Sequence, residues 1–461
     1  MDEGLLAPVR AGSRTARLLG DDAWIRAMVD VELALARSQA RLGLIPPEAL
    51  RAITSAVRES RFDIRAIAEA SRGAANPVVA FVEHLHRMVA VVDPVAADYV
   101  HCGSTSQDIL DTATMMISAR VLTEIIADLD GIVDDLARLA QRFRDTPIAG
   151  RTLAMHAVPT TFGAKVAGWM HGVLDARDRL HRLRMTGLPI QLGGAAGTVA
   201  SYVEWARTGN SMLANASAAE IYERLAGELA GDLGLALPAM PWHTVRTPIA
   251  DLAGALATTS GALGKFAVDV ITLSRTEILE LSEPTAAGRG ESSAMPQKRN
   301  PVLSTMIRTA SLQVPALVSI LFGAMLAEDE RPAGAWHAEW QALRECLLLV
   351  GGAAQTAAEL AVGLTADAGR MRSNLESTRG QLVSERLSIR LAPLLGRAVA
   401  KKTLQAAAFM ACDTGRAFAD ILAEDPVVSA HLTAEQIAEL LRPEGYLGAA
   451  PAFVDRMLDR R

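Results

Sequence analysis

From Ile109 to Phe143 apolar side chains return mostly every three or four positions, at Met116, Ile117, Val121, Ile125, Leu129, Ile132, Leu136 and Leu139. That period predicts one continuous helix, and at 1.5 Å per residue it is roughly 50 Å long. A helix of that length belongs to a bundle rather than to the surface of a small globular domain. Four more segments read the same way: Pro159 to Arg184, Pro248 to Leu281, Pro301 to Ala327 and His337 to Leu364. Five such helices carry more apolar surface than one chain buries, which predicts association of several copies through this region rather than a tight monomeric bundle.

The rest of the chain is also helical in pattern. Ala23 to Leu42 places apolar residues at Ile25, Met28, Val29, Val31, Leu33 and Leu35, then stops at Gly43 and the Pro46–Pro47 pair. Beyond Thr365 the periodic segments shorten and charges return. The expected organisation is all-α with three helical domains: residues 1–108, a central long-helix bundle at 109–364, and 365–461.

Composition agrees with close-packed helices. Half of the 461 residues are apolar but only 4% are aromatic, so Ala, Leu, Val, Ile and Met must fill the core. A net charge of −6 gives no electrostatic case for nucleic acid. The three cysteines, Cys102, Cys346 and Cys412, lack metal-ligand spacing and read as reduced thiols in a cytoplasmic protein. The acidic start MDEGLLAPVRAG does not read as a secretion signal. No uncharged apolar run of about 18 residues is apparent, so no membrane span is expected.

Four polar segments stand at the ends of the long helices. Gly288 to Pro301 combines glycines, paired serines Ser292 and Ser293, Lys298 and Asn300, and ends on a proline suited to a helix's first turn. A loop of that kind can close over a carboxylate and present a deprotonating oxygen. His101 to Asp108 holds Ser104, Thr105 and Ser106, which also fit a plain helix N-cap. Gly150 to Gly163 carries His156 just before Pro159-Thr160-Thr161, which reads as a helix start. An imidazole there is well placed for proton transfer, although a lone histidine is more often structural. Gln191 to Thr198 is too rich in glycine for a helix and lets backbone approach a ligand.

The run Ser292 to Pro301 resembles the signature loop of the fumarase/aspartase superfamily, Gly-Ser-Ser-x-Met-Pro-x-Lys-x-Asn-Pro, with Glu291 where the pattern has glycine. The other three segments match that superfamily in order and spacing, so the resemblance covers essentially the whole chain. It implies three helical domains, a tetrameric core of long helices, and active sites drawing segments from three subunits. It also implies Ser292 as general base, Lys298 and Asn300 as holders of a substrate carboxylate and its enediolate, and Ser104, Thr105 and Ser106 as carboxylate contacts. A serine works as a base only where fixed donors and cations stabilise its alkoxide. His156 falls on the histidine used by adenylosuccinate lyases and carboxymuconate cycloisomerases, whereas Leu153 stands where fumarases and argininosuccinate lyases have theirs.

Within the superfamily, Ser71 to Val78 lacks the second histidine of adenylosuccinate lyases and looks like the Gly-x-Asn-Pro-Val run of carboxymuconate cycloisomerases. Pro241 to Arg246 and Glu330 to Trp340 look like them too, which places Arg246 and Arg331, with Gln191, among the expected substrate contacts. The implied reaction is cofactor- and metal-independent conversion of 3-carboxy-cis,cis-muconate to a lactone by alpha-proton transfer and beta C–O bond formation. The alternative is a C–N lyase releasing fumarate from a substituted succinate, either a nitrosuccinate lyase releasing nitrite or an enzyme like adenylosuccinate lyase. Either way the expected partner is a small polycarboxylate, bound by a homotetramer with shared active sites.

Overall fold

The computed structural model describes residues 3–59, 61–208, 211–291, 294–295 and 297–461. The fold is all-α, and the long helices expected from the apolar period stand at Ser106–Arg142, Phe162–Arg182, Thr247–Leu273, Val302–Gly323 and Ala335–Gly363. Ile125, Leu129, Ile132 and Leu136, all on the predicted stripe of the first, are fully buried. Its first turns bury polar side chains beside apolar ones: Gln107, Asp108, Asp111, Thr112 and Ser118 lie among Ile109, Leu110 and Ala113. Such a concentration of buried polar groups calls for partners from other parts of the fold.

The chain sorts into two compact units, each assembled from several stretches. The first comprises Met1–Asp128, Ala176–Gly261 and Thr309–Thr356. Its helix Asp21–Arg41 buries Ile25, Met28, Val31 and Leu35 at the spacing read from sequence. The N-terminal segment crosses the helix Ala335–Gly363 where two glycines leave room. A Cβ on Gly351 would lie 2.4 Å from Thr15 Oγ1, and one on Gly352 would lie 2.2 Å from the Val9 carbonyl oxygen.

The second unit comprises Leu129–Asp175, Ala262–Arg308 and Ala357–Arg461. Its C-terminal helices close around a core that includes Leu387, Leu391, Phe418, Leu422 and Ile437. It also holds a feature absent from the sequence reading, an antiparallel hairpin of Pro147–Thr152 with Met155–Thr161. Pro159 to Thr161 is therefore strand, and the helix begins at Phe162. The β-branched Val158, Thr160 and Thr161 suit a strand, and pairing with Pro147 to Ala149 decides it, with Pro159, which has no N–H to give, opposite Ala149 in the ladder. The predicted helix to Leu281 likewise ends earlier, at Leu273. The chain then turns and pairs Leu281–Ser282 with Thr365–Ala366, which delivers the fully buried Glu280 to the hairpin.

Two helices, Val302–Gly323 and Ala335–Gly363, are long and apolar enough to cross a membrane by length and composition, a property the sequence reading denied. Isolated charges such as Arg308 do not lower hydropathy enough to disqualify them. Of the most apolar stretch of Ala335–Gly363, 72% is buried within the chain, as in a core helix, against 28% for Val302–Gly323. The latter buries one stripe, Leu303, Ile307, Ala310, Val314, Val318 and Leu321, and leaves Leu312, Ile320 and Phe322 exposed.

Candidate functional site

In the first unit the polar start of Ser106–Arg142 organises the surrounding loops. Asp108 accepts from the backbone N–H of Thr105 at 3.2 Å, closing the first turn as the N3 acid of a capping box does. Its Oδ1 also accepts from Gly193 N at 2.8 Å and lies 2.9 Å from His243 Nε2. Its Oδ2 accepts from Gly194 N at 2.9 Å and from the Tyr202 hydroxyl at 3.3 Å. Burial, with Asp108 adding to it, holds the Tyr202 phenol well above its ordinary range, so it stays a donor. Gly193 is required here, because a Cβ would lie 2.6 Å from His243 Cε1. One buried carboxylate thus fixes the glycine-rich loop against the hydroxyl-bearing segment.

One turn further along, Asp111 and Glu339 enclose Arg246, which is only 2% exposed. Arg246 donates from Nη1 to Asp111 Oδ2 at 2.7 Å and from Nη2 to Asp111 Oδ1 at 3.1 Å. Nη2 also donates to Glu339 Oε2 at 2.6 Å, Nε donates to Glu339 Oε1 at 3.0 Å, and Nη1 reaches the Trp242 carbonyl at 3.4 Å. All five N–H groups of the guanidinium are engaged. Its plane lies over the Trp242 ring, 4.6 Å from the centroid. Trp336 Nε1 donates to Asp111 Oδ1 at 2.9 Å. Gln191 is fully buried beside them, accepting from Trp242 N at 3.0 Å and donating to Asp111 at 3.5 Å.

Sequence reasoning set Arg246 and Gln191 against substrate; the structure sets both inside this network, where every N–H of Arg246 is engaged and Gln191 bonds to Trp242 and Asp111. Ser104, Thr105 and Ser106 are half-buried at the start of the helix Ser106–Arg142. Arg331 donates from Nη1 to Thr105 Oγ1 at 2.7 Å, so two residues 226 positions apart in sequence come together.

The second unit carries His156 on the hairpin, directly opposite Arg151. Arg151 is bound by Glu280 through two parallel bonds, Nη1 to Oε2 at 3.0 Å and Nη2 to Oε1 at 2.7 Å. Asn374 adds a third, Nδ2 to Oε1 at 2.8 Å. Partial burial and the Arg151 charge hold His156 below the usual histidine range, with Glu280 opposing them weakly. The imidazole is therefore mostly neutral at neutral pH, a hydrogen-bonding group rather than a charged acid.

Ser292 lies outside the described residues, as do Ser293 and Pro296. The neck of their loop is described. Asn300 N donates to the Gly290 carbonyl at 2.9 Å, its Nδ2 reaches the same oxygen at 3.4 Å, and Glu291 bridges to Arg299 beside them. Lys298 is exposed. After Pro301 the helix Val302–Gly323 is capped from outside by Glu283, which accepts from Leu303 N at 3.0 Å, Ser304 N at 2.7 Å and Ser304 Oγ at 2.6 Å.

Sequence reasoning passed over Asp111, Glu280, Glu283 and Glu339 as site-building residues and saw Asp108 only as part of a polar helix start. Asp108, Asp111 and Glu339 are acids inside helices, and Glu280 and Glu283 lie in the chain between Leu273 and Val302; what each lacked in the sequence was its partner, which only the fold supplies.

Comparison with known proteins gives a consistent picture. A lyase family profile matches residues 6–316, and a profile for the C-terminus of adenylosuccinate lyase matches residues 380–457. A nitrosuccinate lyase from Streptomyces davaonensis is 56% identical over 99% of this chain and 94% of its own length. A 3-carboxy-cis,cis-muconate cycloisomerase from Pseudomonas aeruginosa is 42% identical over 98% of this chain and 94% of its own length. The crystal structure of 3-carboxy-cis,cis-muconate lactonizing enzyme from Pseudomonas putida superposes with a TM-score of 0.88 at 37% identity, covering 99% of this chain and 98% of that one.

Proposed function

The chain belongs to the fumarase/aspartase superfamily of lyases, and from that premise we propose that it is a nitrosuccinate lyase, forming fumarate and nitrite. The observation that carries this reading is the 56% identity to a nitrosuccinate lyase along nearly the whole chain, against 42% to a cycloisomerase. It prefers the reaction that sequence reasoning ranked as the alternative. A base removes a proton from the methylene beside one carboxylate, and the carbanion is held as an aci-carboxylate. It then expels nitrite from the neighbouring carbon as the C–C bond becomes double. The products are fumarate, nitrite and one proton.

In this proposal Ser292 is the base and Lys298 with Asn300 stabilises the aci-carboxylate. Ser104, Thr105, Ser106 and Arg331 hold substrate carboxylates, a reading supported by the Thr105–Arg331 bond. The neutral state of His156 fits a weakly basic leaving group such as nitrite, which departs without being protonated. An amine leaving group needs a proton donor, so amine-releasing C–N lyases fit less well.

The second reading, lactone formation from 3-carboxy-cis,cis-muconate, rests on the whole-chain likeness to the lactonizing enzyme and has the same feature, a carboxylate in place of nitrite. Offering purified protein nitrosuccinate and carboxymuconate in parallel separates them. Equimolar fumarate and nitrite are expected. Diene loss without nitrite would replace the first reading by the second.

We also propose a homotetramer whose sites draw segments from different copies. Its support is the apolar face of Val302–Gly323, where Leu312 is 70% exposed in the single chain. Mixing Ser292→Ala and His156→Gln proteins is expected to restore partial activity, and full activity in a monomeric fraction would refute sharing.

A further inference from the structure

Lys165 lies in the first turn of Phe162–Arg182, the helix that follows the His156 strand without a break. The start of that helix is pinned, since Phe162 N donates to the Thr146 carbonyl and Gly163 N to the Phe143 carbonyl. The lysine's position relative to the hairpin is thus set by backbone rather than by its own side chain. That side chain is half-buried, yet its ammonium forms no hydrogen bond and no ion pair with any described residue.

Two carboxylates act on Lys165, and both are already committed. Asp269 accepts from Trp169 Nε1 at 2.7 Å through Oδ2 and from Lys265 Nζ at 2.6 Å through Oδ1. Glu280 is fully buried and held by Arg151 on both oxygens, with Asn374 as a further donor. The charged groups acting at this place are Lys165, Lys265 and Arg151 against Asp269 and Glu280, three cations to two anions. Burial, aided by Lys265 and Arg151 and opposed by Asp269 and Glu280, holds the lysine below its ordinary range. A desolvated, unmatched cation is unfavourable unless an anion completes it. The neighbouring Arg151 cannot serve as the anion receptor, because its fork is filled by Glu280.

We propose that Lys165 is a substrate-binding residue, its ammonium taking one carboxylate of a dicarboxylate substrate on the His156 face of the second unit. The assignment rests on the dicarboxylate chemistry of the proposed function and adds a cation to those of the signature loop. The carboxylate it binds supplies the missing negative charge, and the side chain's partial exposure leaves room for that carboxylate to depart with the product.

The test uses the full-length protein with Lys165→Met and Lys165→Arg. Steady-state kinetics on nitrosuccinate are paired with calorimetric titration of fumarate, itself a dicarboxylate. Lys165→Met is expected to raise KM and weaken fumarate binding by roughly ten- to hundredfold, the range for one charge-assisted hydrogen bond. Under the same assignment kcat changes less, the melting temperature does not fall, and Lys165→Arg recovers most of the loss. Wild-type KM and fumarate affinity in Lys165→Met would overturn it, as would a fall in melting temperature or loss of assembly with fumarate affinity intact, the mark of a purely structural partner. If the wild-type protein binds fumarate but releases no nitrite, the proposed reaction fails. A Lys165-dependent fumarate affinity would still uphold the binding role.

Discussion

Arg246 and Arg151 both sit against carboxylates, and their surroundings differ in one respect. Around Arg246 in the first unit the hydrogen bonding closes: every N–H of the guanidinium has an acceptor on Asp111, Glu339 or the Trp242 carbonyl. Around Arg151 in the second unit it does not. Glu280 neutralises Arg151, but Lys165 beside it forms no hydrogen bond or ion pair with any described residue, and the His156 imidazole across the ladder is held below its ordinary range. A saturated network holds loops in one place, whereas an unsaturated one is completed by something that comes and goes. The two regions accordingly predict opposite responses to mutation.

The largest effect is expected at the closed network. Arg246→Met leaves Asp111 and Glu339 facing each other in a buried site with no cation between them. Removing one partner of a buried pair costs about 3–5 kcal/mol, and activity falls with the fold. Lysine is no remedy, since a single ammonium cannot reproduce the fork. Urea unfolding is the measurement, and a wild-type midpoint for Arg246→Met would show that the network does not hold the first unit together.

Ser292→Ala sharpens the same contrast from the other side. Loss of a general base lowers kcat by roughly 10²–10⁴-fold, with no change in the unfolding midpoint expected. A variant that keeps its kcat removes Ser292 from the mechanism.

These two residues also show what was legible. The five long helices follow from the apolar period, since burial of a continuous stripe is a local property of sequence. The hydroxyls of Ser104 to Ser106 and the histidine of the second segment were visible as chemistry at helix ends. Arg246 was visible too, but not its role: Asp111 lies 135 residues away and Glu339 lies 93, and nothing local distinguishes a substrate-binding arginine from one enclosed by distant acids. The hairpin escaped for a different reason. Pro159-Thr160-Thr161 satisfies the rules for starting a helix and for ending a strand, and the choice is made by pairing with Ile148 and Ala149.

His156 should give a smaller change than Ser292. With its pKa held below the ordinary histidine value of about 6.5, the imidazole is neutral in the working range, and His156→Gln should lower kcat by less than the two decades typical of a general acid–base group. The sign of the linkage follows from the same shift. The folded protein resists protonation at His156 more than the unfolded chain does, so this residue's share of stability is complete above about pH 6.5 and declines as pH falls below it. Denaturation midpoints of wild type and His156→Gln measured across that window should converge at high pH and separate in acid, with the wild type losing more. Turnover abolished at every pH in His156→Gln would make it the principal proton-transfer group instead.

The smallest effect belongs to Glu291, where the superfamily pattern has glycine. Glu291 and Arg299 are both more than half exposed and their charged atoms are 3.6 Å apart, so the pair contributes at most about 1 kcal/mol to stability and less in salt. Its influence should appear in binding instead. A carboxylate at the neck of the loop that carries Lys298 repels a dianionic substrate and competes for its cations, so removing the charge should lower KM by a few-fold at low ionic strength, a gain that salt erases. Two substitutions separate charge from backbone freedom. Glu291→Gln removes the charge and keeps a side chain, while Glu291→Gly also restores the freedom of the family pattern. If Glu291→Gln leaves KM unchanged and Glu291→Gly alone alters kcat, the residue acts by stiffening the neck that Asn300 closes onto Gly290, and the electrostatic account is wrong.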